Sequence, residues 1–359
     1  MSDLSMLANL GVATTYMAAG YRGLIDIPLV QLIPGSRIAG PARTVQCGQD
    51  DNLMVHAAMD AIQPGDVLVI TMPDPRPVAL VGELLATQAK VHGAAAILVD
   101  AAVRDIEALR ALGLPIWARW IRVAQASKEQ AGAINAPLTI GATTIAAGDV
   151  VVLDADGAVA VAAARVPEVT AAAQALHDSE EERRRQYEAG VLSLDVMGLR
   201  AKLPIQVRAP HPNEGPRLRE IAVSAKAHWG YDRPMVVEWA RQGVTVGPSA
   251  GREIFVAEAL GQPIAWAAVI DRGDVCWLDD LWVEPAWIGS GVGTRLFRHA
   301  VDAARRLGAT TLEWESEPNA VGFYDRMGGR FVRQSEASEW GRILPVMAID
   351  LREPPGPTA

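Results

Sequence analysis

The sequence has 359 residues, half of them hydrophobic, and a formal charge of −9 at neutral pH. That length suits two domains, and the acidic balance excludes a broad nucleic-acid surface. Two cysteines, Cys47 and Cys276, form no CxxC-type metal spacing and argue against a disulfide. No apolar run reaches the roughly 18 residues of a membrane span. The N-terminus lacks the basic-then-apolar pattern of a signal peptide. The expectation is a soluble cytoplasmic protein with neither a nucleic-acid nor a membrane partner.

The first half alternates strand-like and helix-like runs. PGDVLVI at 64–70 reads as a turn and a buried strand, GELLATQAKVHG at 82–93 as a helix stopping at Gly93, and AAAILVD at 94–100 as a second buried strand. AAGDVVVLDADGAVAV at 146–161 reads as a hairpin with Asp156-Gly157 at its turn. Strands alternating with helices predict a layered α/β core. Further on, Glu180-Glu181-Glu182 precedes Arg183-Arg184-Arg185, a pattern that suits a solvated helix face.

Chemistry concentrates where the second strand ends, at DAAVRD (100–105). Polar groups just beyond a strand's carboxyl end are where α/β proteins hold ligands. Asp105 offers a hard oxygen to Mg²⁺ or Mn²⁺. Arg104 offers a fork for a carboxylate and a charge to offset an enolate. Glu83 opens the helix at 83, where a carboxylate is favoured, and the N–H groups of Leu84 and Leu85 lie in the same first turn. Taken alone, these residues equally suit a surface ion pair and a helix-starting glutamate.

The stretch 82–120, with blocks at 34–45, 51–70 and 148–161 in order, resembles the 4-hydroxy-4-methyl-2-oxoglutarate/4-carboxy-4-hydroxy-2-oxoadipate aldolase family. That family includes the regulator of ribonuclease E activity A. The likeness extends over about residues 5–203 and implies an αββα sandwich assembled as trimers or hexamers. It also implies Asp105 as the metal ligand, Arg104, Leu84 and Leu85 as the pyruvyl-binding groups, and Glu83 as the holder of a metal-bound water. Glu83 stands where an aspartate is usual, and Met17 near the place of another. Glu181 or Glu182 would stand for the acidic residue that a neighbouring subunit supplies. The implied reaction is metal-dependent cleavage of a 4-hydroxy-2-oxo acid to pyruvate, with oxaloacetate decarboxylation beside it and no Schiff-base lysine.

KLPIQVRAPHPNEGP at 202–216 holds four prolines and reads as a linker. The expected division is a first domain at 1–203, a linker at 204–216 and a second domain at 217–359. In the second, an alternating strand ends at Val283-Glu284-Pro285, and Gly289-Ser290-Gly291-Val292-Gly293 leads into a helix. Glycines there permit a tight turn against a phosphate at the helix N-terminus. The lack of GK[ST] excludes a Walker-type site.

The order of strand, glycine turn, helix, strand, short helix with Tyr324, and strand resembles the GNAT acetyltransferase superfamily, and SAKAHWGYD at 224–232 resembles the opening of one bacterial branch. The resemblance implies an α/β fold with a mixed, mostly antiparallel sheet. It implies acetyl-CoA bound by the backbone of Leu281 and Val283, by residues 289–294 (Gly289, Ser290, Gly291, Val292, Gly293 and Thr294) and by Asn319. Tyr324 would be the general acid toward the leaving thiolate. Glu284, Asp280 and Asp279 are candidate bases for an amine acceptor. Gly329 replaces a usual aromatic and is expected to open the acceptor side. The tryptophans of this half are read mostly as core. The chain therefore reads as a bifunctional lyase and acetyltransferase; the alternative is an acetyltransferase on a non-catalytic oligomerising scaffold.

Overall fold

A computed structural model describes residues 2–247, 249–337 and 341–352. In chain order the first part runs α1 (Asp3–Ala18), β1 (Val30–Gln31), β2 (Ile38–Gln46), α2 (Leu53–Ala58), β3 (Val67–Thr71), β4 (Ala79–Val81), α3 (Glu83–Val91) and β5 (Ala96–Val103). It continues with α4 (Ile106–Leu112), β6 (Ile116–Ile121), β7 (Ala133–Ile134), β8 (Leu138–Ile140), β9 (Thr143–Ile145), β10 (Val150–Asp154), β11 (Gly157–Val161) and α5 (Val166–Glu188). The second part holds α6 (Ser193–Val196), β12 (Gln206–Arg208), α7 (Gly215–His228), α8 (Arg233–Gly243), β13 (Arg252–Ala259), β14 (Gln262–Asp271) and β15 (Val275–Val283). It ends with α9 (Val292–Arg306), β16 (Thr311–Glu315), α10 (Val321–Arg326), β17 (Arg330–Gln334) and β18 (Pro345–Asp350). The chain divides into two units, Met1–Gln186 and Tyr187–Ala359.

Side-chain parity builds the first unit into four layers. The strand order is β1-β6-β5-β3-β2-β10-β11, with β2, β3, β5 and β6 parallel to one another. β2 serves two layers: Ile38 to Pro41 pair with β10, and Ala42 to Gln46 pair with β3. Successive side chains of a strand face opposite ways. Leu68 and Ile70 of β3, with Ile97 and Val99 of β5, pack against α2, α3 and α4. Their neighbours Val67, Val69, Ala96 and Leu98 meet Val151, Leu153, Ala158 and Ala160 of the β10–β11 hairpin in a sheet-on-sheet core. On that hairpin's other face Val150, Val152, Val159 and Val161 pack on Leu7 and Val12 of α1 and on Val166, Val169 and Ala173 of α5. Three cores between four layers make this unit the expected αββα sandwich.

The second unit carries one sheet in the order β12-β13-β14-β15-β16-β18-β17. Every adjacent pair is antiparallel except β15–β16. It is the expected mixed, mostly antiparallel sheet, with α9 packed on one face and α7 and α8 on the other. The segment 204–216, expected as a linker, is structured: β12 pairs with β13, and Arg208 binds Glu214 and Glu258. Four prolines do not preclude a short edge strand, because an edge leaves one side of the backbone unpaired. No helix among the described residues is long and apolar enough to cross a membrane.

Candidate active sites

In the first unit, the Arg104 N–H donates to the Val81 carbonyl at 3.1 Å, tying the end of β5 to β4 just before α3 begins. Asp105 then takes the left-handed conformation (φ 63°, ψ 41°) and starts α4. Its Oδ2 accepts the Glu83 N–H at 3.2 Å and lies 3.8 Å from Arg104 Nε. Gly82 makes this approach fit, since a Cβ there would stand 2.7 Å from Asp105 Oδ2 and 3.3 Å from Arg104 Nε. The first helical bond of α3 runs from the Ala86 N–H to the Gly82 carbonyl, so the Leu84 and Leu85 amides have no partner within the helix. The Leu84 side chain is exposed and that of Leu85 buried. The structure therefore brings Glu83, Leu84, Leu85, Arg104 and Asp105 together. It adds two residues that periodicity did not single out, Gly82 and Thr87, whose hydroxyl donates to Glu83 Oε1 at 2.7 Å.

Asp100, in the same sequence run, bonds to Thr71 and Arg119 rather than to this cluster. It is buried, accepting from Arg119 Nη1 at 3.0 Å and Thr71 Oγ1 at 3.4 Å, and so links β3, β5 and β6. Glu181 and Glu182 bind Arg184 and Arg185 one turn on along α5, as a solvated face would.

In the second unit, β15 and β16 are paired only over Val275–Trp277 and Thr311–Glu313. Beyond Trp277, β14 pairs one edge of β15 and no strand among the described residues pairs the other, so Leu281 and Val283 lie along an open edge. A bulge at Asp279 reverses the parity of β15: Ala268 pairs with Asp280, while Val269 pairs with Leu278. Cys276 and Leu278 before it, and Leu281 and Val283 after it, pack toward α9. Trp282 accordingly packs toward α7 and α8. Past Val283 the chain turns through Gly289 (φ 82°) and Gly291 (φ 84°) into α9. The first helical bond there runs from Arg295 to Gly291, leaving the N–H groups of Val292, Gly293 and Thr294 without partners in the helix.

The candidate acid and bases sit in different surroundings. Tyr324 is buried against Phe297, Phe323 and Trp314, and burial pushes its hydroxyl well above the usual tyrosine range. Asn319 is exposed, five residues earlier. Glu284 Oε2 accepts from Arg217 Nη2 at 2.6 Å. Asp280 is buried and accepts from Arg252 Nη2 and Trp282 Nε1, each at 2.5 Å. Burial pushes its carboxyl up to about 6, with Asp279 adding to the rise and Trp282 and Arg252 opposing it. Asp279 is also paired with Arg252. A Cβ at Gly329 would meet Trp314 at 2.8 Å and the Tyr324 carbonyl at 3.0 Å. The expected opening at Gly329 is thus filled by the Trp314 indole. A groove of ≈ 490 Å³ lies instead beside Glu284, lined by Ser224, His228, Arg233 and Ala286 among others.

Sequence reasoning treated the tryptophans mainly as core. Trp266 and Trp287 are core, but Trp239 and Trp282 stand with Tyr231 around the Lys226 ammonium, at 4.2, 5.8 and 5.4 Å from Nζ to the ring centroids. The 224–232 stretch, singled out by resemblance, was the signal that could have found this cluster.

Comparison with known proteins finds a family match in each unit. A family model described as Aldolase/RraA matches residues 15–160, and one described as Acetyltransferase (GNAT) family matches residues 217–329. A protein of Halalkalibacterium halodurans with the provisional name 4-hydroxy-4-methyl-2-oxoglutarate aldolase is 34% identical over 204 residues, spanning 56% of this chain and 93% of its own. Among solved structures, Streptomyces coelicolor RraAS2, an unusual member of the RNase ES inhibitor RraA family, shares 29% identity over 51% of this chain and 96% of its own, with a TM-score of 0.45. The PaiA N-acetyltransferase of Thermoplasma acidophilum, solved with coenzyme A, shares 16% identity over 41% of this chain and 99% of its own, with a TM-score of 0.36. The two matched regions define a fusion of an aldolase-like and an acetyltransferase-like domain. The chain belongs to the aldolase/RraA family through its first unit, and its second unit carries a GNAT acetyltransferase domain.

Proposed function

We propose that the first unit cleaves a 4-hydroxy-2-oxo acid to pyruvate and a second carbonyl product, and decarboxylates oxaloacetate as a side activity. The second unit would transfer acetyl from acetyl-CoA to an amine. The observation that supports the lyase reading most is the meeting of Arg104 and Asp105 with the first turn of α3 across the space that Gly82 leaves. The donor set suits a hard cation. Asp105 Oδ1 accepts no hydrogen bond from a described residue, and Mg²⁺ or Mn²⁺ commonly takes one or two carboxylates and keeps its waters. Such an ion, held by Asp105, would supply Lewis-acid polarisation of the substrate's 2-oxo group. Arg104 would hold the substrate carboxylate and offset the charge that develops at the 2-oxo oxygen. The Leu84 and Leu85 amides would orient the pyruvyl group at the helix N-terminus. Glu83, held by Thr87, would take the 4-hydroxyl proton through a water.

For the transferase, the open edge of β15 is the place for the pantetheine arm, and the turn at 289–294 the place for the pyrophosphate. Asn319 would add a contact to CoA. Tyr324, kept protonated by its burial, suits a donor to the leaving thiolate, and Glu284 or Asp280 would receive the acceptor's proton. Self-association as a trimer or hexamer belongs to the same reading. Exposed Leu84 and Val91, seven residues apart on one face of α3, offer apolar surface beside the site.

The test is pyruvate release from 4-hydroxy-4-methyl-2-oxoglutarate and from oxaloacetate, with Mg²⁺ or with EDTA. Release should need the metal and fall by about 100-fold or more in Arg104→Ala. Release that EDTA and Arg104→Ala both leave unchanged would remove the assigned site. No release from either acid would favour a scaffold in which only the second unit is catalytic.

A further inference from the structure

The chain has four lysines, and three of them, Lys90, Lys128 and Lys202, are exposed. The fourth, Lys226, is 9% exposed and lies on the buried face of α7 with Leu218, Ala222 and Ala225. Helical periodicity calls for an apolar residue at such a position. Its ammonium is instead ringed by Trp239, Trp282 and Tyr231 and stands 3.5 Å from Glu317 Oε1. Glu317 also accepts from Tyr231 Oη at 2.8 Å and Arg342 Nη2 at 3.0 Å.

This amine spans the parting of β15 and β16. Trp282 belongs to β15, on the part that has separated from β16, and Glu317 follows the end of β16 by two residues. Trp282 reaches the α7 side because the bulge at Asp279 reverses the strand. Leu281 and Val283 face the other way, toward the α9 that the glycine turn leads into. Donor and amine therefore approach the same parting from opposite faces of the sheet. The aromatic walls and burial leave the ammonium little contact with water. Burial lowers the lysine's pKa, against the opposing pull of Glu317, and so favours the neutral, nucleophilic amine.

The geometry points to Lys226 as a self-acetylation site, modified in cis by acetyl-CoA bound in its own domain. This rests on the donor site proposed above. In the reaction Glu317 takes one proton from the ammonium and passes it to solvent. Nζ attacks the thioester carbonyl, the C–N bond forms and the C–S bond breaks. The second amine proton goes to the departing thiolate. One acetyl-CoA and one lysine ammonium give N-acetyl-lysine, CoA thiol and one released proton. Acetylation removes the cage's own positive charge, leaving Glu317 to Tyr231 and Arg342, and so alters the acceptor side of the domain.

The experiment incubates the full-length chain with acetyl-CoA, follows it by intact mass and peptide mapping, and measures CoA binding separately by equilibrium dialysis. The expected result is one acetyl group per chain, on Lys226, at a rate independent of protein concentration. Protein purified with the group already on Lys226 alone counts the same way. Lys226→Arg should bind CoA and gain none, and Glu317→Gln should react about 100-fold more slowly. The three exposed lysines are the internal control. CoA binding with Lys226 unmodified, or acetyl spread over the exposed lysines, would overturn self-acetylation and leave the donor site standing. Absence of CoA binding would overturn the donor site, and self-acetylation with it.

Discussion

At Gly82 the absence of one carbon lets the Asp105 carboxylate reach the first turn of α3. Alanine there would press its Cβ on Asp105 Oδ2 and the Arg104 side chain, while its backbone (φ −126°) is ordinary for any residue. Gly82→Ala should therefore cut pyruvate formation by at least about tenfold, since an ångström-scale misplacement is that costly. Thermal unfolding should change little, because Arg104 and Asp105 are half-exposed. An unchanged rate would detach Gly82 from the site. Asp280 gives a second residue-level prediction. Its carboxyl, ordinarily near 3.8, is raised to about 6 by burial and by the neighbouring Asp279, against the hydrogen bonds from Trp282 and Arg252. The folded state thus keeps a proton that the unfolded chain releases. This group's contribution is fully present below about 4 and is lost as pH rises toward 6. Asp280→Asn should flatten the stability of the second unit over that window, read as urea midpoints at several pH values. A decline unchanged in the variant would assign it to other groups.

Among the elements, those legible in the sequence share a cause. Buried parallel strands read as continuous apolar runs, and β3 and β5 begin within the runs assigned to them, β3 continuing one residue and β5 three residues beyond. α3 stops ahead of Gly93, as a helix followed by a left-handed glycine does. The pairing of Arg104 and Asp105 with α3 was legible only through family spacing, because contact across twenty residues leaves no local period. The bulge at Asp279 was not legible. WLDDLWV alternates acceptably in either register, and only pairing with β14 shows which side chains change face. The opening expected at Gly329 failed for a similar reason: the sequence shows the missing ring but not that Trp314 fills its place.

For the whole molecule, the division at Gln186/Tyr187 falls within α5, and the apolar cores are partitioned accordingly. The three clusters of the first unit take no residue beyond Ala173, and the two of the second none before Leu203. Each set of layers therefore buries its own faces, the condition for folding alone. The sequence placed the division later because proline marks chain that resists regular structure, whereas the cores are separated by the polar, exposed end of α5. A chain ending at residue 190 should keep metal-dependent pyruvate release within about twofold of the intact protein. One beginning at 187 should keep CoA binding, because β12, which starts at Gln206, is an edge of its sheet. A chain beginning at 217, at the expected domain boundary, lacks β12 and the Arg208 bonds to Glu214 and Glu258. It should melt lower than the chain beginning at 187. Equal melting temperatures for these two chains would restore 204–216 to a linker, and loss of pyruvate release from the first would tie its catalysis to the second unit.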